Sequence, residues 1–262
     1  MCPVPGLVDI HAHLLPGIDD GPTGLPDSIR MAKAAVESGI DTMAATPHVR
    51  PDFPDVHLDE LAARCQSLRE ELAWAEVPLA VVPAAEVSLL WALDADDEAL
   101  KLATYGQRGT DVLIETPHDV TGLERLLGSI QARGLRVTLG HPERSPTLQR
   151  DPARIAGLHD QGVLIQVNSD ALLARRGSSA RNLAERLCRD GLVDVIASDG
   201  HRAASWRAVT VLPEAVAAAE RLVGEARAHW MASDAPRAIV EGRKLPAAPE
   251  IAASQRRWWQ LR

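Results

Sequence analysis

Leu7-Val8-Asp9-Ile10-His11-Ala12-His13 is the stretch from which the fold of this chain is read. A short apolar run leaving through two histidines one residue apart is a buried strand whose exit carries both imidazoles on one side. Alternate side chains of an extended chain share a face, so the pair can aim at one cation. Six further runs of this kind follow: Thr42 to Ala45, Leu79 to Ala84, Val112 to Glu115, Arg136 to Leu139, Val163 to Val167 and Val193 to Ala197. Between them lie helical patterns at Pro26 to Glu37, Leu58 to Ala75, Thr121 to Arg133, Ala153 to His159 and Ala180 to Arg189. Gly39, Gly134, Gly162 and Gly191 stand at helix-stop positions. Strands alternating with helices predict βα units around a parallel sheet, and seven strands suit a distorted (β/α) barrel of the α/β class better than an eight-fold one.

At 262 residues, 46% hydrophobic and 24% charged, the chain fits one domain, expected over 1–245 with a tail at 246–262. The tail runs from Pro and Ala into Arg and Trp, and Trp258-Trp259 is expected to pack or dock as an appendage. A formal charge of -8 argues against nucleic acid as the default partner, since phosphate backbones are held by clustered cations. The first residues lack the pattern of a secretory signal, and no apolar run approaches the roughly 18 residues of a membrane span, so a cytoplasmic protein without an integral membrane segment is expected. Cys2, Cys65 and Cys188 are read as thiols. None heads a Cys-x5-Arg loop, because Val8, Glu71 and Asp194 stand six positions on.

Five of the nine histidines, His11, His13, His48, His141 and His201, fall at or just past predicted strand exits, where the loops of a parallel barrel converge. Asp20, Glu86, Glu115 and Asp199 occupy corresponding positions. Mixed imidazole and carboxylate donors suit manganese, iron or zinc, and bridging carboxylates let two or three ions share a hydroxide. His57, His159 and His229 lie in helical stretches and are read as solvated or capping residues. Arg150 and the Arg175-Arg176 pair either meet an acidic phosphopeptide or form a solvated face.

These residues stand in motifs: Asp9-Ile-His-Ala-His13, Leu15-Pro-Gly-Ile-Asp-Asp-Gly21, Ala45-Thr-Pro-His48, Ala85-Glu86, Leu113-Ile-Glu115, Gly140-His-Pro-Glu-Arg144, Ile165-Gln-Val-Asn168 and Ala197-Ser-Asp-Gly-His201. In that order they resemble the PHP superfamily, named for polymerase and histidinol phosphatase domains. Within it they resemble the bacterial manganese-dependent tyrosine phosphatases of capsule and exopolysaccharide operons. Ala235 to Gly242 is similar to the family's closing helix.

The resemblance implies a PHP-type, TIM-barrel-like (β/α)7 fold and three divalent ions, manganese first and iron or zinc as substitutes. One ion would take His11, His13, Glu86 and Asp199; Glu86 would bridge to a second on Glu115 and His141; a third would take Asp20, His48 and His201. Arg144 corresponds to the family's phosphate-binding arginine. A second such arginine is either Arg202 or Arg207, and His118 either contacts substrate or donates a proton to the leaving phenolate.

The implied activity is hydrolysis of phosphotyrosine on a bacterial tyrosine kinase by metal-bound hydroxide. The alternatives are a PHP phosphatase for a small monoester such as histidinol phosphate, and a catalytically silent binder of phosphorylated kinase. Oligomeric state is left open by the sequence.

Overall fold

The computed structural model describes residues 6–119 and 121–251, so Cys2 and Trp258-Trp259 lie outside the described residues. Nine parallel strands are described: β1 (Leu7–Ala12), β2 (Ile40–Ala45), β3 (His48–Val49), β4 (Ala80–Pro83), β5 (Glu86–Ser88), β6 (Asp111–Glu115), β7 (Arg136–Gly140), β8 (Leu164–Asn168) and β9 (Val195–Ala197). They form two sheets, β1-β2-β4 and β3-β5-β6-β7-β8-β9.

Beyond each of the expected second and third strands the chain bends into a further short strand. β3 continues β2 past Thr46-Pro47, and β5 continues β4 past Ala84-Ala85. Pro47 and Pro83, lacking an amide hydrogen, weaken the ladder at these points. Backbone bonds from Ala84 N to Ala45 O (3.0 Å) and from Glu86 N to Pro47 O (3.1 Å) carry the pairing across. At the other edge, Asp199 N donates to His11 O and His13 N to Gly200 O, both at 2.8 Å, tying the exit of β9 to that of β1. The seven expected strands therefore follow one another around a distorted (β/α) barrel.

The interior of the barrel explains why the functional residues sit at one end. A small buried cluster of Val8, Ile10, Ala44, Ala84, Leu113, Val195 and Ala197 is joined by Tyr105, Ile239 and Val240, while Val112, Ile114, Val137, Leu139, Ile165, Val167 and Ile196 belong to the larger layer between strands and helices. Strand side chains alternate between faces, so a residue two beyond an interior one also points inward. Ala84 is followed in this way by Glu86, Leu113 by Glu115, and Ala197 by Asp199. Apolar residues fill the barrel, and acids succeed them at its exit.

The five expected helices appear as Leu25–Glu37, Leu61–Trp74, Leu123–Gln131, Ala153–Asp160 and Ser179–Arg189. The first starts with a proline in its opening turn and stops at Gly39, whose φ of +89° other residues rarely adopt. Further helices lay outside the sequence pattern. Leu89–Asp94 and Asp97–Ala103 are too short to show a period, and Leu212–Val223 packs largely through alanines. The closing segment is a π-helical turn, Trp230–Asp234, running into Ala235–Val240. The described part of the tail lies on the barrel: Trp230 Nε1 donates to Pro246 O (3.2 Å), and Ile251 packs against the main core.

Candidate metal centre

β1 delivers its histidines through a fixed irregularity. Its register against β2 shifts between Asp9 and Ala12, and the buried Asp9 carboxylate accepts from the backbone of His11 (3.3 Å), the backbone of Ser198 (3.1 Å) and the Ser198 hydroxyl. Asp9 therefore clamps the His11 and Asp199 segments together and takes no place among the clustered ligands. Gly21 is obligatory for a related reason: a Cβ there would stand 2.5 Å from the carbonyl of His13, so only glycine lets the Asp19-Asp20 loop fold back over the pair.

Around Glu86 the imidazoles converge. Its Oε2 lies 3.3 Å from His11 Nε2, 3.6 Å from His13 Nε2 and 2.8 Å from His48 Nδ1, while its Oε1 lies 2.9 Å from His141 Nε2. Asp199 Oδ1 is 3.5 Å from both His11 Nε2 and His13 Nε2. Asp20 Oδ1 reaches His201 Nε2 at 3.0 Å and His48 Nε2 at 3.7 Å. All nine expected ligands are gathered, as four overlapping groups: His13, Asp20, His48 and His201; His11, His141 and Asp199; His11, His13 and Glu86; and His48, Glu86 and Glu115. The groups share His11, His13, His48 and Glu86.

Their protonation pattern suits cations. His11 Nδ1 meets the amide oxygen of Gln166 (2.9 Å) and His201 Nδ1 the carbonyl of Asp199 (2.9 Å); both oxygens only accept, so both Nδ1 atoms carry the proton and Nε2 presents a lone pair. His13 Nδ1 likewise faces Asp19 Oδ2 at 2.7 Å. The buried atoms His11 Nε2, His13 Nε2, His48 Nδ1 and Glu86 Oε2 have no aligned hydrogen-bond partner. Leaving such atoms unmatched costs about 1–3 kcal/mol each. Lone pairs aimed into one buried volume are what divalent ions require, and the donor set fits them.

The electrostatics agree. Burial alone would raise the Glu86 and Asp199 carboxyls, but the histidines around them, and Arg207 beside Asp199, hold both well below the usual range. Burial would lower His13, yet Asp19, Asp199 and Glu86 push it up to about 10. Without a cation His13 therefore also carries a proton on Nε2 at neutral pH, and metal frees that lone pair only by displacing it, so affinity rises with pH.

Residues to which the sequence reading gave no role hold the set in place. Asp19 orients His13 and also accepts from Gly21 N (3.0 Å) and His48 N (3.3 Å). Gln166 Nε2 donates to Asn168 Oδ1 (2.8 Å), and Asn168 Nδ2 donates to Asp199 Oδ2 (2.7 Å), making a directed chain from His11 to Asp199. The signal for these two was their spacing on β8, which puts both inside the barrel. Asp19→Ala is expected to weaken metal affinity by about 10–100-fold, as loss of a ligand-orienting carboxylate does elsewhere, measurable by calorimetric titration of the stripped protein.

Arg144 donates from Nη1 to Asp199 Oδ2 (2.8 Å) and from Nη2 to Asp170 Oδ2 (3.2 Å). Of the two further arginines, Arg207 turns inward to Asp199 and lies 3.7 Å from Asp20, whereas Arg202 is exposed. Arg50 Nη1 holds Glu115 Oε1 at 2.7 Å. His141, Asp199, Ser205 and Arg207 all have φ between 40° and 72°, conformations that cost non-glycine residues about 1–3 kcal/mol and gather where structure serves a site.

His118 is exposed, and its carbonyl accepts from Ser145 Oγ (3.1 Å). It lines a cleft of about 960 Å³ with Arg50, Glu115, His141 and Arg144. Arg176 and Arg150 line other hollows, with Arg181 and with Arg186 respectively. His57 is exposed, His159 sits 3.4 Å from Asp194, and His229 3.9 Å from Asp234.

Comparison with known proteins adds an independent line. Residues 7–241 match the family model described as capsular polysaccharide synthesis, CpsB/CapC. Tyrosine-protein phosphatase YwqE of Bacillus subtilis is 32% identical over 200 residues, covering 74% of this chain and 77% of that protein. Tyrosine-protein phosphatase CpsB of Streptococcus pneumoniae is 24% identical over 203 residues, covering 74% and 83%. A crystal structure from work on YwqE and CpsB, described as unique metal-dependent tyrosine phosphatases, superposes with a TM-score of 0.82 at 26% identity, over 94% of this chain and 99% of that one. The phosphotriesterase of Mycobacterium tuberculosis, at 15% identity and a TM-score of 0.51 over 90% and 94% of the two chains, shares the fold alone.

Proposed function

The chain belongs to the CpsB/CapC family of capsular polysaccharide synthesis, and from that premise we propose that it is a metal-dependent protein tyrosine phosphatase. Its substrate is phosphotyrosine on a bacterial tyrosine kinase that governs capsule or exopolysaccharide synthesis. Because that kinase takes its phosphate from ATP, the enzyme works in the cytoplasm. The observation that carries the chemistry is the convergence of unpartnered imidazole nitrogens on Glu86 Oε2 beside two inward-turned arginines.

His11, His13, Asp20, His48, Glu86, Glu115, His141, Asp199 and His201 would hold three divalent ions, manganese being the proposed occupant. Bound there, such ions lower the pKa of water and offset phosphate charge. The rest falls to the chain. Arg144 and Arg207 release their hold on Asp199 to grip the phosphate oxygens, Arg144 with a planar fork that matches a dianion. Gln166 and Asp19 keep Nε2 of His11 and His13 aimed inward throughout. The leaving phenol has an ordinary pKa of about 10, so proton donation matters less than for an alkyl ester, and His118 at the cleft rim is placed to meet the peptide.

Thiol chemistry has no part in this reading. Burial pushes both Cys65 and Cys188 up to about 12, so neither is a thiolate at neutral pH. Iodoacetamide treatment of the native enzyme is expected to leave turnover unchanged; inactivation that tracks alkylation of either cysteine would contradict this.

The proposal is tested by turnover of a phosphotyrosine peptide against histidinol phosphate and phosphoserine after manganese addition. Preference for the peptide is expected. Equal or better turnover of the small esters would defeat the tyrosine-specific reading.

A further inference from the structure

We propose that Leu90, with Leu89, Trp91 and Pro117, forms an aryl subsite that seats the ring of the scissile ester and sets the preference for aryl over alkyl phosphates; this inference rests on the phosphatase reading above. The cleft that contains them combines two chemistries. Glu115, His141 and Arg144 line it together with Leu89, Leu90, Trp91 and Pro117, so charged and apolar side chains share one cleft. An aryl phosphate has the same combination, a dianion joined to a flat apolar ring.

One wall is tied by the chain itself to the metal centre. β5 begins at Glu86, and helix Leu89–Asp94 starts three residues later, its first turn capped by Ser88 Oγ accepting from Trp91 N (3.3 Å). Leu89 is buried and the partly buried Trp91 packs against the main core, which fixes the helix. Leu90 is left 74% exposed, one of three large hydrophobics so exposed among the described residues. Leu90 therefore presents an apolar surface to the same cleft that Glu115, His141 and Arg144 line, and a flat ring can lie against it.

The other wall is also built in advance. Thr116 Oγ1 donates to the carbonyl of Gly140, Ser145 Oγ donates to His118 O (3.1 Å), and Thr147 Oγ1 donates to Asp119 Oδ1 (3.2 Å). These bonds pin the Thr116–Asp119 loop, and Pro117 with it, to the segment carrying His141 and Arg144. At about 960 Å³ the cleft lies at the upper end of the roughly 300–1,000 Å³ typical of small-ligand sites, leaving room for residues flanking a phosphotyrosine. Trp206, 67% exposed and stacked 5.3 Å from the Arg207 guanidinium, is the rival platform, but it does not line this cleft.

Binding of two non-hydrolysable probes, phenylphosphonate and methylphosphonate, to the manganese-loaded enzyme tests the assignment by calorimetry. Wild type is expected to favour the phenyl probe by about tenfold or more, and Leu90→Asp to remove most of that preference while shifting methylphosphonate affinity by less than about threefold. Because Leu90 is exposed, the variant keeps its fold. Equal affinity of wild type for the two probes would overturn the subsite, as would a preference unchanged in Leu90→Asp and abolished in Trp206→Ala. Phenyl preference lost in Leu90→Asp, in an enzyme that nonetheless fails to hydrolyse phosphotyrosine peptide, would uphold the subsite and defeat the phosphatase reading.

Discussion

Glu86→Gln is expected to lower kcat/KM for a phosphotyrosine peptide by on the order of 10³-fold or more, equivalent to about 4 kcal/mol of transition-state stabilisation. Glu86 is fully buried, and four of the five clustered histidines approach its two oxygens. Glutamine keeps the shape but removes the charge, and its amide hydrogens would point at nitrogens that must offer lone pairs. Elemental analysis should show bound metal falling together with activity, while circular dichroism stays that of the wild type. Normal turnover with full metal content would remove Glu86 from the centre of the site.

Arg144→Ala should act differently. Its guanidinium is partly exposed and bonded to Asp199 and Asp170, so it neighbours the ligands without being one. Loss of a preorganised cation at developing phosphate charge costs about 10²–10³-fold in turnover, and metal content should remain that of the wild type. Arg144→Lys should recover part of this loss, since a point charge keeps the attraction but cannot reproduce the two-pronged fork. Steady-state kinetics with parallel metal analysis distinguishes the two arginine variants from Glu86→Gln. Metal loss in Arg144→Ala would place that residue in ligand support instead.

The strands and the metal-type residues were legible because both obey simple periods. Val112 to Glu115 is visible as a buried run, and the acid at its end shares the interior face of Leu113. The short strands β3 and β5, beyond the bends that end β2 and β4, were not legible, since two or three residues show no period. Leu89–Asp94, which walls the cleft, is too short to display a helical period. Spacing along the chain also does not give the distances among His141, Glu115, Glu86 and His48, which depend on tertiary curvature. The choice between Arg202 and Arg207 was invisible for a similar reason. A tight loop in which His201 N and Arg202 N both donate to Arg207 O turns one side chain inward and leaves the other in solvent. Asp19, Gln166 and Asn168 stood inside recognised motifs, but their work is to orient other side chains, and only distances reveal that.

Turnover of phosphotyrosine is expected to depend on divalent ions held by these nine residues. This dependence is tested most directly by stripping the protein with chelator, verifying metal loss by elemental analysis, and assaying a phosphotyrosine peptide before and after manganese is restored. Negligible turnover is expected in the stripped protein, with recovery that rises with bound metal. Full activity in verified metal-free protein would contradict that dependence.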